Sequence, residues 1–178
     1  MISALLLLFD GVEETEAIAT IDVLRRGQID VTTASISGKT ITSSHKVKIT
    51  ADVEGIPDNT YDAVIIPGGS LAIRHNAQIE NLVQKQYESG RLVAAICAAP
   101  IILHDLGILE KHHYTAHYSM VNELPKARLH ESVVTDGCVI TGCGPAAGIH
   151  FGLAILKYLT TVDSARSVAR SMMCDASV

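Results

Sequence analysis

The chain has 178 residues, of which 48% are hydrophobic and 19% charged, and its formal net charge is −5. This length suits one domain, and the composition is that of a globular protein, which excludes an intrinsically disordered chain. Only 4% of the residues are aromatic, and no basic stretch is longer than the pair Arg25-Arg26. Because stacking platforms and a basic surface are both missing, we expect no nucleic-acid partner.

The first apolar run is too short for a secretory signal, since it lacks a basic segment before it and ends at Asp10-Gly11. No apolar segment of the sequence is long enough to span a bilayer. We therefore predict a cytoplasmic protein without membrane contact. In that reducing compartment the four cysteines, which show no CxxC spacing, are expected to be free thiols: Cys97, Cys138, Cys143 and Cys174.

Apolar runs that end in turn residues alternate with segments of helical period along the chain. The predicted strands are Ser3–Phe9, Asp30–Ile36, Asp62–Ile66 and Leu92–Ile96, with hairpins at Thr40–Thr50 and Ser132–Thr141. The predicted helices are Glu13–Arg26, Ile79–Ser89, Ala98–Leu106, Pro145–Leu159 and Val162–Met173. Between them, Glu110–Leu124 is expected to combine a short strand with a loop or helical turn, and the second hairpin to turn at Asp136-Gly137. This alternation predicts an α/β sandwich with a mostly parallel central sheet, in a single domain over residues 1–178.

Cys97 lies in the stretch AAICAAP, where a predicted strand becomes a predicted helix. A thiol at the start of a helix has its pKa lowered from about 8.5 to somewhere within roughly 3.5–7.5, which makes it nucleophilic. A cysteine is also among the most commonly buried residues and often serves only as a small apolar side chain. Its position alone leaves both interpretations open.

Two further features lie at the same predicted edge of the sheet. The turn Pro67-Gly68-Gly69 exposes main-chain N–H groups, and with the N–H of Ala98 these can hold an oxyanion, although a Gly-Gly pair is also an ordinary tight turn. Glu16 lies on the helix that begins at this edge. A protonated Glu16 would donate a hydrogen bond to a thiolate, whereas an ionised one would oppose thiolate formation. We interpret Glu13 and Glu14 as charges that favour the first turn of the helix.

The histidines His112, His113 and His117 are close in sequence, but they share a helix face only if their segment is helical. Since we expect a strand or loop there, we predict no metal site. His117 is the best placed of them as a partner for Cys97. No motif in the sequence indicates a cofactor.

Five segments follow one another in the order and spacing of the ThiJ/PfpI superfamily: FDGVEETEAIATIDVLRRG, YDAVIIPGG, GRLVAAICAAP, TAH and GPAAGIHFGLAIL. The resemblance runs from about Ser3 to Leu159 and is strongest to the Parkinson-disease protein deglycase branch with its bacterial relatives. It implies a flavodoxin-like three-layer sandwich, a homodimer, and the first helix in the dimer contact.

The same resemblance implies roles for five residues. Cys97 would be the nucleophile and oxidation site, Glu16 its carboxyl partner and His117 the nearby histidine. Gly69 and Ala98 would supply main-chain N–H groups.

The sequence departs from this pattern at two positions where the branch often carries a cation or an amide. His45 takes the place of an arginine, and Cys143 that of an arginine or glutamine before the Gly144-Pro145 turn. Binding of a sulfate-like or phosphorylated ligand is therefore not expected. Cys143 is instead a candidate redox partner of Cys97, although a small residue in a tight turn is the simpler interpretation.

The resemblance implies a first function, and the expected reactivity of Cys97 favours a second. The first is a cofactor-independent glyoxalase or deglycase that acts on methylglyoxal, glyoxal or early glycation adducts of proteins, with a role in oxidative and carbonyl stress. The second is a redox sensor or holdase chaperone whose Cys97 oxidises to a sulfinate. A Cys-His peptidase is less favoured, because it requires His117 to reach Cys97.

Overall fold

The computed structural model describes residues 1–174. Its strands are β1 (Ser3–Leu8), β2 (Asp30–Ser35), β3 (Thr40–Thr42), β4 (Lys48–Thr50), β5 (Val53–Glu54), β6 (Ala63–Ile66), β7 (Leu92–Ile96), β8 (Val133–Asp136) and β9 (Val139–Gly142). Its α-helices are α1 (Glu14–Arg26), α2 (Ala77–Glu88), α3 (Pro100–Asp105), α4 (Gly148–Leu159) and α5 (Val162–Ser171). Single turns of 3-10 helix occur at Leu71–Ile73, Ile108–Lys111, Tyr118–Met120 and Pro145–Ala147.

The central sheet has seven strands in the order β5-β2-β1-β6-β7-β9-β8, and only the edge strand β8 runs antiparallel to its neighbour. The separate pair β3-β4 forms the small predicted hairpin. Strand β1 lies inside the sheet and its residues Leu5–Leu8 are fully buried, as expected for a parallel strand covered on both faces. The prediction of a mostly parallel sheet is confirmed.

Helices cover both faces of this sheet. The crossover β1-α1-β2 moves along the sheet in one direction and β6-α2-β7 in the other, so right-handed connections place α1 and α2 on opposite faces. Helix α4 packs on α1 at close range, since a Cβ on Gly152 would lie 2.9 Å from Cβ of Val23. Helix, sheet and helix therefore form the three layers of a flavodoxin-like fold, which confirms the predicted fold class.

Local differences from the sequence predictions occur outside the main strands. The segment Glu110–Leu124 contains 3-10 turns but no strand. Most of its hydrogen-bonded N–H groups have local acceptors or side-chain acceptors such as Asp136, and the single bond from His117 to the carbonyl of Cys97 does not extend into a ladder. The second hairpin is formed by β8 and β9, and its turn lies at Gly137-Cys138, one residue later than predicted. Strand β5 was not predicted, since two residues carry no periodic signal.

The extent of the domain remains a prediction, because residues 175–178 lie outside the described part of the chain. Within residues 1–174, none of the helices has the length and apolar character needed to cross a bilayer.

Candidate active site

The candidate site lies where the direction of the chain connections reverses, between β1 and β6. Ligands of open α/β sheets bind at this place, beyond the carboxyl ends of the strands. The turns after β1 and β6 are joined by a bridge between Val12 and Gly69. The N–H of Glu13 donates to the carbonyl of Gly68 at 2.9 Å. These contacts hold the start of α1 against the Pro67-Gly68-Gly69 turn.

Cys97 follows β7 in a left-handed backbone conformation, with φ of 66°. A residue other than glycine in this region stores strain of about 1–3 kcal/mol and persists only where its surroundings fix it. Its N–H donates to the carbonyl of Gly142 and its carbonyl accepts from the N–H of His117, both at 2.9 Å. This sharp strand-to-helix turn resembles a nucleophile elbow, which points a reactive side chain out of the sheet.

Glu16 is fully buried beside Cys97. Its Oε2 accepts a hydrogen bond from the N–H of Gly68 at 2.7 Å. Burial raises the pKa of Glu16 to about 7, although the hydrogen bonds from Gly68 and Cys97 oppose this increase. The thiol of Cys97 therefore influences the pKa of this carboxyl group. The second carboxyl oxygen, Oε1, is buried and forms no hydrogen bond within residues 1–174. Near neutral pH this acid exchanges its proton readily.

The pKa of Cys97 differs from the sequence prediction. Burial raises it to about 12, and the charge and hydrogen bond of Glu16 add to this effect. The N–H of Ala98 does lower this pKa, as the helix-start argument expects, but desolvation and the neighbouring carboxylate outweigh it. The predicted lowering is therefore wrong while Glu16 is ionised. Near neutral pH a thiolate therefore forms only when the proton lies on Glu16, so the two side chains titrate as a pair.

Gly69 occupies a position that no other residue fits. Its φ is 110°, and a Cβ would lie 2.2 Å from the carbonyl oxygen of Gly11. Among the described residues, no acceptor pairs with the N–H of Gly69, whereas the N–H of Ala98 contacts the sulfur of Cys97. Their role in holding an oxyanion remains a prediction.

His117 reaches Cys97 through its backbone rather than through its ring. Its Nδ1 lies 2.8 Å from Oγ of Ser119 and accepts from the N–H of that residue, so it caps the turn Tyr118–Met120. Within residues 1–174 no hydrogen bond joins the imidazole to the thiol. The ring does border the turn that follows β9, because a Cβ on Gly144 would lie 3.3 Å from its Cδ2.

Cys143 begins that same turn, and its N–H donates to the carbonyl of Ser132 at 2.9 Å. All four cysteines are free thiols in this structure, as expected, and each is partly exposed. A redox partnership between Cys143 and Cys97 remains a prediction.

The sequence analysis named Glu13, Glu14 and His45 but missed the contacts that they make near this edge. Glu13 is the N-cap of α1 and its Oε2 accepts from the N–H of Glu16 at 2.8 Å, so it does more than favour the helix dipole. Glu14 contacts Ser44 and His45 in the turn between β3 and β4. Glutamate is an uncommon N-cap, and a contact across 31 residues leaves no local pattern, so the sequence carries no signal for either arrangement.

The three neighbouring histidines of the sequence have different surroundings. His112 and His113 both face Asp136, with their Nδ1 atoms 4.0 and 3.2 Å from its Oδ2, and His112 also lies 3.0 Å from the hydroxyl of Tyr87. His117 contacts Ser119 instead.

The site combines a buried carboxyl group with a strained cysteine at the switch point of a flavodoxin-like sheet. These features are typical of α/β proteins with a candidate nucleophilic thiol. The DJ-1/PfpI family profile matches residues 2–158 of the chain. The chain belongs to the DJ-1/PfpI family, which confirms the resemblance to the ThiJ/PfpI superfamily.

Individual relatives match over nearly their whole length. Protein dj-1beta of Drosophila melanogaster is 34% identical over 96% of both chains, and its crystal structure superposes with a TM-score of 0.91 over 97% of this chain and 98% of that one. The glutathione-independent glyoxalase DJR-1.2 of Caenorhabditis elegans is 33% identical over 96% of this chain and 95% of its own. The structure of oxidized Toxoplasma gondii DJ-1 is 26% identical, with a TM-score of 0.93 over 98% of this chain and all of that chain.

Proposed function

We propose that the protein is a cofactor-independent glyoxalase or deglycase that uses Cys97 to attack methylglyoxal, glyoxal or early glycation adducts. The observation that carries this proposal is the pairing of a strained cysteine with a buried acid whose pKa is raised to about 7. Such an acid both takes up and returns a proton near neutral pH. Similarity to a relative that is named as a glutathione-independent glyoxalase supports the same activity.

The proposed reaction begins with transfer of the thiol proton to ionised Glu16. The sulfur of Cys97 then attacks the aldehyde carbon, and Glu16 returns the proton to the resulting alkoxide, which gives a hemithioacetal. The N–H groups of Gly69 and Ala98 are the proposed donors that stabilise the alkoxide. The reaction therefore needs no permanent thiolate, which agrees with the raised pKa of Cys97.

The second stage moves hydrogen between the two carbons of the dicarbonyl. Glu16 removes the proton from the former aldehyde carbon to give an enediolate and delivers it to the adjacent carbon. The hydroxyl proton of the hemithioacetal passes to the neighbouring oxygen, which leaves a 2-hydroxyacyl thioester on Cys97. Water then cleaves the thioester to release lactate or glycolate and the thiol. Glu16 is the proposed base for this water. Nδ1 of His117 accepts from the N–H of Ser119, so the neutral ring carries its proton on Nε2 and His117 is proposed as a hydrogen-bond donor to the substrate. On an early adduct of a protein side chain, the same chemistry releases the side chain and amounts to deglycation.

The test is the conversion of methylglyoxal to lactate by the wild-type protein and by Cys97→Ser. We expect turnover to be lost in Cys97→Ser and retained in Cys138→Ser, which removes another partly exposed thiol. Full turnover by Cys97→Ser would refute the proposal.

The second candidate function is redox sensing or holdase activity, with Cys97 oxidised by peroxide to a sulfenic and then a sulfinic acid. Each step consumes one peroxide and transfers one oxygen to the sulfur. A protonated Glu16 beside the sulfur would donate a hydrogen bond to the sulfinate, and a similar protein has been solved in an oxidized form. Mass spectrometry after mild peroxide treatment should find two added oxygens on Cys97 before the other thiols change. Earlier oxidation of Cys138 or Cys174 would contradict this function.

A homodimer and a cytoplasmic location belong to the same proposal. Sedimentation of the purified protein tests the first, and localisation of a tagged chain tests the second.

A further inference from the structure

A groove of about 860 Å³ lies between the edge strand β8 and helix α4, and Cys97 does not border it. Its volume falls within the range of about 300–1,000 Å³ that is typical of ligand sites. One wall contains Val133 and Thr135 of β8. The other wall is a single face of α4, because its lining residues recur at helical spacing: His150, Ala154, Lys157 and Tyr158.

Strand β8 presents unpaired main-chain groups to this groove. It is the last strand of the sheet and pairs only with β9. The hairpin turn is two residues long, so the residues that flank it form a hydrogen-bonded pair, as does every second pair after it. The N–H of Cys143 donates to the carbonyl of Ser132 at 2.9 Å, in agreement with this alternation. The N–H and C=O groups of Val133 and Thr135 therefore point away from β9, and no hydrogen bond from outside the sheet reaches them within residues 1–174.

This edge lacks the usual protection against pairing with another strand. Native sheets shield their edges with short strands, lysine, proline or a covering element. The opposite edge strand β5 has two residues, whereas β8 has four and begins with the β-branched run Val133-Val134-Thr135. A main-chain edge of this kind is a template for strand addition.

Helix α4 covers one face of the space beside this edge. Val133 pairs with Gly142, on which a Cβ would lie 3.2 Å from the ring of Phe151 in α4. The side chains of Val133 and Thr135 therefore lie on the α4 side of the sheet. A strand added about 4.8 Å from β8 would direct every second side chain toward the exposed face of α4.

The exposed side chains of the groove favour an acidic occupant. Lys157 is exposed on α4 and pairs with no carboxylate within residues 1–174. The carboxylate of Glu131 at the rim is already occupied, since it pairs with Arg128 at 3.1 Å and lies 3.7 Å from Nε2 of His130. Tyr158 is 42% exposed and adds aromatic surface of the kind that anchors bound partners. An extended segment with a carboxylate and apolar side chains matches this groove.

We propose that β8 and α4 form a docking groove for an extended acidic peptide segment of a partner protein, which adds an eighth strand to the sheet. Main-chain hydrogen bonds to Val133 and Thr135 hold the segment, and its alternate side chains face α4. Its carboxylate pairs with Lys157, and its apolar side chains pack on Ala154 and Tyr158. This binding function is separate from the thiol site and holds whatever reaction Cys97 performs.

The probe for the test is a capped pentapeptide with the sequence valine-threonine-glutamate-threonine-valine, whose first, third and fifth side chains share one face. We expect calorimetry to find one peptide per chain, and hydrogen exchange to slow at the N–H groups of Val133 and Thr135. The same peptide methylated on its main-chain nitrogens keeps the side chains but lacks the donors, so it should bind at least about tenfold more weakly. Lysine in place of the central glutamate should also weaken binding, because it faces Lys157.

Two variants of the protein test the two parts of the groove. Thr135→Pro removes an N–H that β9 does not use, and proline is tolerated at such a position of an edge strand, so the fold should remain. It should weaken peptide binding at least about tenfold. Lys157→Glu changes no backbone group and should weaken binding about fivefold or more. The matched control is Lys85→Glu, which makes the same charge change at an exposed residue of α2 and should leave binding unchanged.

Several results would overturn the proposal. They are equal binding of the methylated peptide, equal binding by Thr135→Pro or Lys157→Glu, and no binding at millimolar peptide. Sedimentation without peptide distinguishes a partner segment from a second copy of the chain. An association state that is the same in wild type and Thr135→Pro supports a free edge. A wild-type dimer that becomes a monomer in Thr135→Pro would instead show that β8 is an interface between copies.

Discussion

The N–H of Gly68 donates a 2.7 Å hydrogen bond to Oε2 of Glu16, and this contact ties the turn after β6 to the helix after β1. A Cβ on Gly68 would lie 2.8 Å from that oxygen and 2.6 Å from Cβ of Cys97. The absence of a side chain at this position therefore brings the carboxyl group and the thiol together. The buried acid that results controls the pH behaviour of the site.

The first prediction concerns Glu16→Gln and the pH dependence of stability. The folded state keeps the proton of Glu16 up to a pKa of about 7, whereas the unfolded chain loses it near 4.5. The unfolded state is thus the more ionised between these values, and stability falls as pH rises through this window, by up to about 3 kcal/mol for this group. Glutamine keeps the acceptor for Gly68 and does not ionise. Denaturant unfolding should find Glu16→Gln more stable than wild type at pH 8 and equal to it near pH 4.5.

Glu14→Gln is the control, because the pKa of Glu14 is shifted in the opposite direction to that of Glu16. Partial burial favours a higher pKa for Glu14, but hydrogen bonds from its own N–H, Ser44, Ser43 and His45 outweigh this and lower it to about 2. Its contribution to stability is complete above pH 4.5 and is lost as pH falls toward 2. Removing this charge should therefore destabilise the protein at neutral pH. Parallel stability curves for wild type and Glu16→Gln would contradict the first prediction.

The second prediction concerns the alkylation of Cys97 as a function of pH. In the wild type, Glu16 and Cys97 interact and titrate as a pair, with pKa values of about 7 and about 12. The rate of iodoacetamide labelling should therefore rise in two steps. In Glu16→Gln only the thiol titrates, so one step should remain, below the upper step of the wild type. The control Cys97→Ser measures the labelling of the other thiols. Identical dependence of the labelling rate on pH in wild type and Glu16→Gln would show that the titrations of Glu16 and Cys97 are not coupled.

The third prediction compares two glycines with positive φ. Gly69→Ala must accommodate a Cβ 2.2 Å from the carbonyl oxygen of Gly11, whereas Gly90, with φ of 72°, has open space around it. Gly90→Ala should lose only the conformational cost of about 1–2 kcal/mol. Gly69→Ala should lose about 1–3 kcal/mol more from overpacking and should misplace the turn at the site. Thermal or denaturant unfolding measures the loss of stability in both variants. Equal losses would contradict the prediction, because they would show that the turn after β6 can move to accommodate the Cβ.

The fourth prediction concerns Arg74, which pairs with Asp105 through two hydrogen bonds of 2.7 and 3.0 Å and also contacts Glu123 at 2.6 Å. Only 24% of its side chain is exposed, so solvent screens this network less than an ordinary surface pair. We expect Arg74→Ala to lower the free energy of unfolding by about 1 kcal/mol or more, with a smaller loss at high salt. The control Arg26→Ala removes an exposed pair with Asp22 and should cost no more than about 0.5 kcal/mol. Similar losses in both variants would contradict the prediction.

The strands and helices near the site were predictable because local patterns encode them. Leu92–Ile96 is a continuous apolar run, and its bounds agree with β7. The helix after it is shorter than predicted, since Cys97 takes a left-handed conformation and α3 begins only at Pro100. A strained turn of this kind depends on the contacts of Gly142 and His117, which lie far away in sequence.

The sequence by itself determined the order of strands and helices, the parallel sheet, and the residues that border its carboxyl edge, because hydrophobic period and turn residues act over short distances along the chain. Only the tertiary structure decided that Glu16 is buried against Cys97, that the pKa of this thiol rises, and that Glu13 and Glu14 meet His45. Desolvation and Coulomb interactions depend on distances in space between residues that lie dozens of positions apart in sequence. No local pattern along the chain records those distances.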